Sequence, residues 1–133
     1  MLNSLLALMI VTAGAAGNSL EPCPSSPNCV SSQATGSHFI ESFTVREEGP
    51  DGLDILRHIL EERKDTNIVA VNEGEIRVEF RTALGFVDDG HFVFDPANRV
   101  IELRSASRKG YWDMGKNRRR LEEIRRAYLA RSK

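Results

Sequence analysis

The amino-acid sequence predicts an α+β fold, in which a four-stranded antiparallel meander carries two amphipathic helices packed on one face. Two observations support this prediction. Residues 75–82 alternate strictly between charged and apolar side chains, as expected of a strand with one buried face. On both sides of the strand region, apolar residues recur at helical spacing. The connections between the predicted elements are short, which favours antiparallel neighbours.

The first helix is predicted over about Gly52–Lys64. Leu53, Leu56 and Leu60 follow helical spacing and form an apolar stripe. Asp51 comes directly before this segment and can serve as its N-cap, because an aspartate side chain accepts a backbone N–H of the first turn.

Four strands are predicted after this helix, at residues 68–71, 75–82, 91–95 and 99–104. A second helix follows from about Met114 to Arg131. Its apolar stripe consists of Leu121, Ile124 and Tyr128. Asp113 can cap the start of this helix, as Asp51 can cap the first. The order helix, four strands, helix completes a single domain.

The N-terminus predicts export. Residues 5–11 are a short apolar run and residues 13–17 are small, a pattern typical of a signal peptide and its cleavage zone. We therefore assign residues 1–16 to a signal peptide, with a retained N-terminal anchor as the alternative. Residues 17–36 form a segment rich in Cys, Pro and Ser, and residues 37–133 form the α+β domain. We expect a periplasmic or secreted protein, associated with the membrane, if at all, through its N-terminal segment.

Two cysteines, Cys23 and Cys29, enclose five residues that include two prolines. Such a pair fits a structural disulfide in an oxidising compartment. Free thiols and a metal site are the alternatives, although the only nearby further ligand for a metal is His38.

The charge is unevenly distributed. Residues 99–133 contain twelve Lys/Arg and four Asp/Glu, whereas residues 1–98 contain six Lys/Arg and fifteen Asp/Glu. Asymmetry of this kind can indicate a nucleic-acid partner. The basic part has the pattern of an amphipathic helix, so we expect it to fold onto the acidic body of the same chain, and we predict no nucleic-acid partner.

The segment 104–120 combines arginines, small hydroxyls, glycines and an asparagine at the start of the second helix. These groups, together with free backbone N–H groups at a helix start, are those that proteins use to hold an anion. We predict a binding site for an anionic small molecule or an envelope partner here, completed by two neighbouring aspartates. Its residues are Asp88, Asp89, Arg104, Ser105, Ser107, Arg108, Asn117 and Arg118.

The aspartate pair has more than one interpretation. In a strand, Asp88 and Asp89 point to opposite sides and cannot easily serve one site. Alternatively, two aspartates before Gly90 mark a loop ahead of a strand. In either case we expect one of them to pair with an arginine of the 104–120 segment. Trp112, the only tryptophan of the chain, is expected in the core, with ligand stacking as the alternative.

At these motifs the chain resembles the domain of unknown function 1499 family. The similarity is carried by C-P-S-S-P-N-C-V-S-S-Q-A at residues 23–34, F-V-D-D at 86–89, R-S-A-S-R at 104–108 and D-M-G-K-N-R at 113–118. The resemblance implies a small bacterial or plastid protein, often exported or membrane-associated. It implies no catalytic role. Its motif positions are Cys23, Cys29, Asp88, Asp89, Arg104, Ser105, Ser107, Arg108, Asp113, Asn117 and Arg118.

Three hypotheses for function follow. The first is a non-enzymatic exported domain that binds an anionic ligand or partner through the 104–118 segment. The second is a hydrolase-like enzyme that uses Asp88 or Asp89 with an arginine clamp. The third is a purely structural salt-bridge network. No nucleophile–base pair, phosphate-binding loop or metal-ligand spacing occurs in the sequence, so we predict neither a metal nor a cofactor.

Overall fold

Within residues 19–48 and 51–133, which are those that the computed structural model describes, six β-strands form one sheet beside two α-helices. The helices are α1 (Gly52–Glu62) and α2 (Lys116–Arg131). The strands are β1 (Cys29–Ser31), β2 (Phe43–Thr44), β3 (Thr66–Asn72), β4 (Glu75–Arg81), β5 (Val87–Asp95) and β6 (Val100–Ser107). The prediction of an α+β fold with an antiparallel sheet and two helices is confirmed.

The sheet is larger than predicted. The predicted meander is present as β3–β4–β5–β6, but the sheet of the described residues has six strands, not four. Both additional strands pair antiparallel with the outer edge of β6, with Cys29 opposite Ala106 and Phe43 opposite Ile101. Strands of three and two residues are too short to show an alternating pattern, so a sequence pattern does not reveal that they join the sheet.

Strand β5 begins four residues earlier than predicted, so Asp88, Asp89 and Gly90 lie in a strand and the loop interpretation is wrong. The register of β5 with β4 accounts for the glycine. A Cβ atom on Gly90 would lie 2.6 Å from side-chain atoms of both Phe80 and Val78. Gly90 is therefore required by close packing inside the sheet and does not mark a turn.

Both helices cover the same face of the sheet. Alternate residues of the strands point to this face and meet the apolar stripes of α1 and α2. Asp51 caps α1 as predicted, since its carboxylate accepts the backbone N–H of Leu53 at 3.0 Å. The central members of the core are Leu56, Leu60, Ile76, Val78, Phe80, Phe92, Ile101, Leu103, Leu121, Ile124 and Tyr128.

Two further predictions concern Trp112 and the N-terminal segment. The expectation that Trp112 lies in the core is wrong, because 69% of this residue is exposed. The predicted signal peptide, residues 1–16, lies outside the described residues. No helix of residues 19–48 and 51–133 is long and apolar enough to cross a membrane. Among residues 19–48 and 51–133, no helix covers the opposite face of the sheet, which we call the open face.

Candidate functional site

Asp88 forms a buried ion pair on the helix-covered face. Its carboxylate accepts a hydrogen bond at 2.8 Å from Arg120 of α2, and each of the two side chains is only 3% exposed. The Arg120 guanidinium also stacks over the ring of Phe80, 4.5 Å from the ring centroid. A charged side chain with so little exposure to solvent needs its partner, because an unpaired buried charge strongly destabilises the folded state. Asp88 is thus enclosed within the fold.

Asn117 lies at the centre of a hydrogen-bond network beside this ion pair. Its side-chain oxygen accepts from the hydroxyl of Ser105 at 2.6 Å. Its amide nitrogen donates to the hydroxyl of Ser107 at 3.0 Å and to the carboxylate of Asp113 at 2.7 Å. Asn117 and Ser105 are fully buried. Both polar atoms of Asn117 are therefore satisfied within the protein.

Asp113 lies three residues before Lys116, the first residue of α2, and Gly115, not Asp113, occupies the N-cap position. Its carboxylate accepts the backbone N–H of Gly115 at 2.8 Å and that of Asn117 at 3.1 Å. Burial alone would raise the pKa of Asp113, but the hydrogen bonds from Asn117 and Gly115 outweigh burial and hold this pKa below its usual value. The N–H groups that could hold an external anion thus already bind a carboxylate of the same chain.

The disulfide loop contributes to the same network. Cys23 and Cys29 are joined, as predicted, with their Cα atoms 5.7 Å apart. Within the loop, the side-chain nitrogen of Asn28 donates to the carbonyl of Gly110 at 2.7 Å. The carbonyl of Asn28 accepts from the amide of Asn117 at 3.4 Å. The disulfide therefore holds Asn28 against the segment that connects β6 to α2.

Asp89 lies on the open face, opposite to Asp88. Its carboxylate pairs with Arg108 at 2.6 Å, and the same guanidinium also pairs with Glu79 at 2.8 Å. All three side chains are substantially exposed. The hydrogen bonds that Arg108 donates to Asp89 and to Glu79 raise the pKa of Arg108, so this arginine stays charged. With Asp88 bound to Arg120, both aspartates pair with an arginine of the 104–120 segment, where we expected one to do so.

A groove with a volume of about 580 Å³ runs across the open face. Arg104 lies in it, directly opposite His91 in the register of β5 and β6. The Nη2 of Arg104 donates to the carbonyl of Pro22 at 3.3 Å, whereas its Nε is buried and has no hydrogen-bond partner among the described residues. The groove is lined by Ser19, Glu21, Val69, Arg77, Val78, Glu79, Asp89, Gly90, His91, Arg104 and Arg108.

His91 is bound to the strand beside it. Its Nε2 lies 2.8 Å from a carboxylate oxygen of Glu75, and the His91 side chain is 11% exposed. This hydrogen bond from His91 holds the pKa of Glu75 below its usual value. Glu75 and His91 therefore form one polar pair that flanks Arg104.

Arg118 lies outside the hydrogen-bond network of Asn117 and outside the groove of the open face. Its guanidinium donates to the carbonyls of Phe39 and Ser37, each at 2.8 Å. Further along α2, Arg125 donates to the carbonyl of Ser42 at 3.1 Å, and Tyr128 donates to that of Thr44 at 3.1 Å. One side of α2 thus holds the chain segment that leads to β2.

The structure divides the eight residues predicted as one site. Asp88, Ser105, Ser107 and Asn117 lie in the buried network, and Asp89, Arg104 and Arg108 lie on the open face. The sequence reasoning missed Arg120 and Asn28, which complete the network. A signal for Arg120 was present, since it occurs on the same helical stripe as Asn117, Leu121 and Ile124. The sequence held no such signal for Asn28.

No group of three or more His, Cys, Asp or Glu side chains in the described part of the chain is arranged to hold a metal ion. Of the two aspartates considered for hydrolysis, only Asp89 contacts solvent, so the hydrolase alternative stays a prediction that depends on this residue.

The comparison with known proteins agrees with the order of the motifs. A family model described as "Protein of unknown function (DUF1499)" matches residues 19–128, from the start of the described chain to Tyr128 in α2. No curated protein and no solved structure matches the chain. Since the matched range includes the disulfide loop, the whole sheet and nearly all of α2, the chain belongs to the DUF1499 family of proteins of unknown function.

Proposed function

We propose that this protein is an exported binding domain that holds an anionic ligand in the groove of the open face, with Arg104 as the main binding residue. The observation that carries the proposal is the buried Nε of Arg104, which has no hydrogen-bond partner among the described residues. A buried donor without an acceptor costs about 1–3 kcal/mol. A carboxylate or phosphate oxygen in the groove would remove this cost and would accept a charge-assisted hydrogen bond.

The comparison with Arg108 supports the choice of Arg104. Both arginines point to the same side of β6, because they are four residues apart in one strand and its extension. Arg108 already binds two carboxylates, those of Asp89 and Glu79. Arg104 forms no ion pair with any described residue, so its charge is available to a ligand.

The charges around the groove restrict the ligand. Among the residues that line the groove, Arg77 and Arg104 are the cations that form no ion pair with a described residue. Glu21 also lines the groove. The carboxylates of Glu79 and Asp89 share the single positive charge of Arg108, so these three side chains together keep a net negative charge. A polyanion would meet several carboxylates, whereas a ligand with one carboxylate or one phosphate group would meet mainly Arg104. We therefore infer a ligand with a single anionic group, carried by a small molecule or by an envelope partner.

The location of the protein is part of the proposal. A disulfide between Cys23 and Cys29 is typical of proteins outside the cytoplasm. The apolar run of residues 5–11 provides a signal for export. We propose that the domain functions in the periplasm or outside the cell, with association to the membrane, where it occurs, through its N-terminal segment.

The test is a titration followed by the Nε–H resonances of the arginines in ¹⁵N-labelled full-length protein. Inorganic phosphate, acetate and phosphoserine serve as probes. We expect a saturable shift of the Arg104 Nε–H resonance, because this group gains its acceptor on binding.

The variants Arg104→Lys and Arg108→Gln provide the matched comparison. Arg104→Lys keeps the charge but removes the planar donor group, so saturable binding should be lost. Arg108→Gln should still bind saturably but with lower affinity than the wild type, because the Arg104 donor remains while Asp89 and Glu79 lose their counter-charge. The absence of a saturable shift with all three probes, or equal affinity in Arg104→Lys, would overturn the proposal.

A further inference from the structure

We propose that one end of the sheet docks onto the surface of a lipid bilayer that contains anionic lipids. Five large apolar side chains at this end are exposed, with exposed fractions between 53% and 85%. We call them the apolar end. They are Leu84, Phe86, Tyr111, Trp112 and Met114. Apolar side chains that cluster in solvent usually mark an interaction surface.

The apolar end is formed by two loops that lie side by side. Leu84 and Phe86 belong to the turn between β4 and β5, and the other three belong to the segment between β6 and α2. The backbone N–H of Arg108 donates to the carbonyl of Val87 at 3.1 Å, which joins the bases of the two loops. The five side chains therefore occupy one end of the molecule.

The backbones of both loops are fixed. In the first loop, Thr82 and Phe86 form a backbone hydrogen bond of 2.8 Å that closes the turn. In the second, Asn28 binds the carbonyl of Gly110, and Asp113 binds the N–H of Gly115. The exposure of the five side chains is thus a property of ordered loops, which hold these residues away from the core.

The charges beside the apolar end favour an anionic lipid surface. Arg81, Lys109 and Lys116 flank the five apolar residues, and none of the three forms an ion pair with a described residue. Each basic residue near an anionic bilayer makes a favourable electrostatic contribution to binding. Tryptophan and tyrosine, which have an apolar ring and a polar group, are enriched at the level of the lipid headgroups.

A protein partner fits this surface less well. Protein–protein interfaces are depleted in lysine, whereas lysines beside exposed aromatic residues are typical of proteins that lie on membranes. Leu84, at the tip of a tight turn, is 85% exposed and projects from the molecule. A projecting side chain can enter a bilayer directly, whereas a protein would need a pocket of matching shape.

Trp112 is a direct probe of the proposal, because it is the only tryptophan of the chain. Full-length protein is mixed with vesicles of phosphatidylcholine alone or of phosphatidylcholine with phosphatidylglycerol. With the anionic vesicles we expect a blue shift of the Trp112 emission and quenching by brominated lipid. Added salt should weaken but not abolish binding, since only the electrostatic part is screened.

Three variants separate the apolar and the electrostatic contributions to vesicle binding. Leu84→Ser/Phe86→Ser should weaken the partitioning seen by Trp112 more than about tenfold, because two large side chains no longer enter the lipid. Lys109→Gln/Lys116→Gln should reduce the preference for anionic vesicles. Leu129→Ser, which changes a residue 50% exposed near the other end of α2, is the control and should bind normally.

Three results would overturn the proposal. One is vesicle binding without quenching of Trp112, which would assign the binding to another part of the chain, such as its N-terminal segment. Another is equal quenching in the Leu84→Ser/Phe86→Ser variant. The third is a blue shift that depends on protein concentration without vesicles, accompanied by a doubled mass in solution, which would assign the apolar end to a contact between two copies of this chain.

Discussion

Asp88 and Asp89 are neighbours in one strand, yet their carboxylates lie on opposite faces of the sheet and form ion pairs of different kinds. Asp88 pairs with Arg120 away from solvent, and Asp89 pairs with Arg108 in contact with solvent. The two residues therefore provide a comparison of a buried and an exposed ion pair at almost the same place in the fold.

Replacement of Asp88 by Asn should lower the free energy of unfolding by about 3 kcal/mol, because the buried Arg120 loses its hydrogen-bonded counter-charge and keeps only Asp65, 3.8 Å from its Nε. Asp89→Asn should change the stability very little, since exposed ion pairs contribute little. Urea unfolding followed by circular dichroism measures both. Equal effects of the two substitutions would contradict the assignment of Asp88 to the interior.

Gly90→Ala tests the packing inside the sheet. The added methyl group would lie 2.6 Å from atoms of Phe80 and Val78, so these side chains must move. Overpacking of this kind costs about 1–3 kcal/mol. The comparison variant is Ala106→Gly in the neighbouring strand. It removes a methyl group instead of adding one, so it creates no overlap of side-chain atoms. A Gly90→Ala variant as stable as the wild type would show that the space above Gly90 is larger than described.

The charge of Asp113 should make a contribution to stability that depends on pH. Because its pKa is lower in the folded protein than the ordinary value of 3.8, the contribution is present in full above that value. It is lost as the pH falls through the lowered pKa of the folded state. Asp113→Asn keeps an acceptor at the start of α2 without the charge, and should cost about 1 kcal/mol at neutral pH.

The measurement for Asp113 is the difference in unfolding free energy between the wild type and Asp113→Asn at neutral pH and at about pH 3. We expect the difference to decrease in acid. A difference that stays constant between the two conditions would mean that the carboxylate of Asp113 does not stabilise the fold through its charge.

Removal of the disulfide should loosen the segment between β6 and α2. Cys23→Ser/Cys29→Ser should cost about 2 kcal/mol, as expected for a short loop. Asn28 would then lose its fixed position, so amide exchange should increase at Ser107, whose N–H donates to the carbonyl of Asn28 at 2.9 Å. Hydrogen exchange detected by NMR measures this effect, with the turn between β4 and β5 as the internal control. Unchanged exchange at Ser107 would contradict the proposed role of the loop.

Much of the fold could be predicted because the signals are local. The alternation of Ile76, Val78 and Phe80 defines β4, and the spacing of Leu56 and Leu60 defines α1. The start of β5 could not be predicted, because aspartate and glycine favour turns. Asp88 can occupy a buried position in a strand because the distant Arg120 pairs with its carboxylate, and a sequence pattern does not reveal a contact over 32 residues.

The candidate site was predicted less completely for a related reason. Arg104 and Arg108 lie on one face of the sheet and Ser105 and Ser107 on the other, as alternation along a strand requires. The sequence does not show which face a helix covers, so residues of the buried network and of the open face were combined into one site. Arg120 was missed because arginine is seldom fully buried unless it is paired.

The bonds from Arg118, Arg125 and Tyr128 to carbonyls of residues 37–44 have a consequence for the order of folding. They join positions separated by 79 to 84 residues along the chain. Contacts between such distant positions form late, because the loop between them must close first. The segment that enters β2 is synthesised early, but it cannot form its hydrogen bonds to α2 until that helix has been synthesised. In a chain that emerges from its N-terminus, this segment can pair with β6 before α2 is available, but it lacks the bonds to α2 until that helix has emerged. A chain that ends before Arg118 lacks all of these bonds.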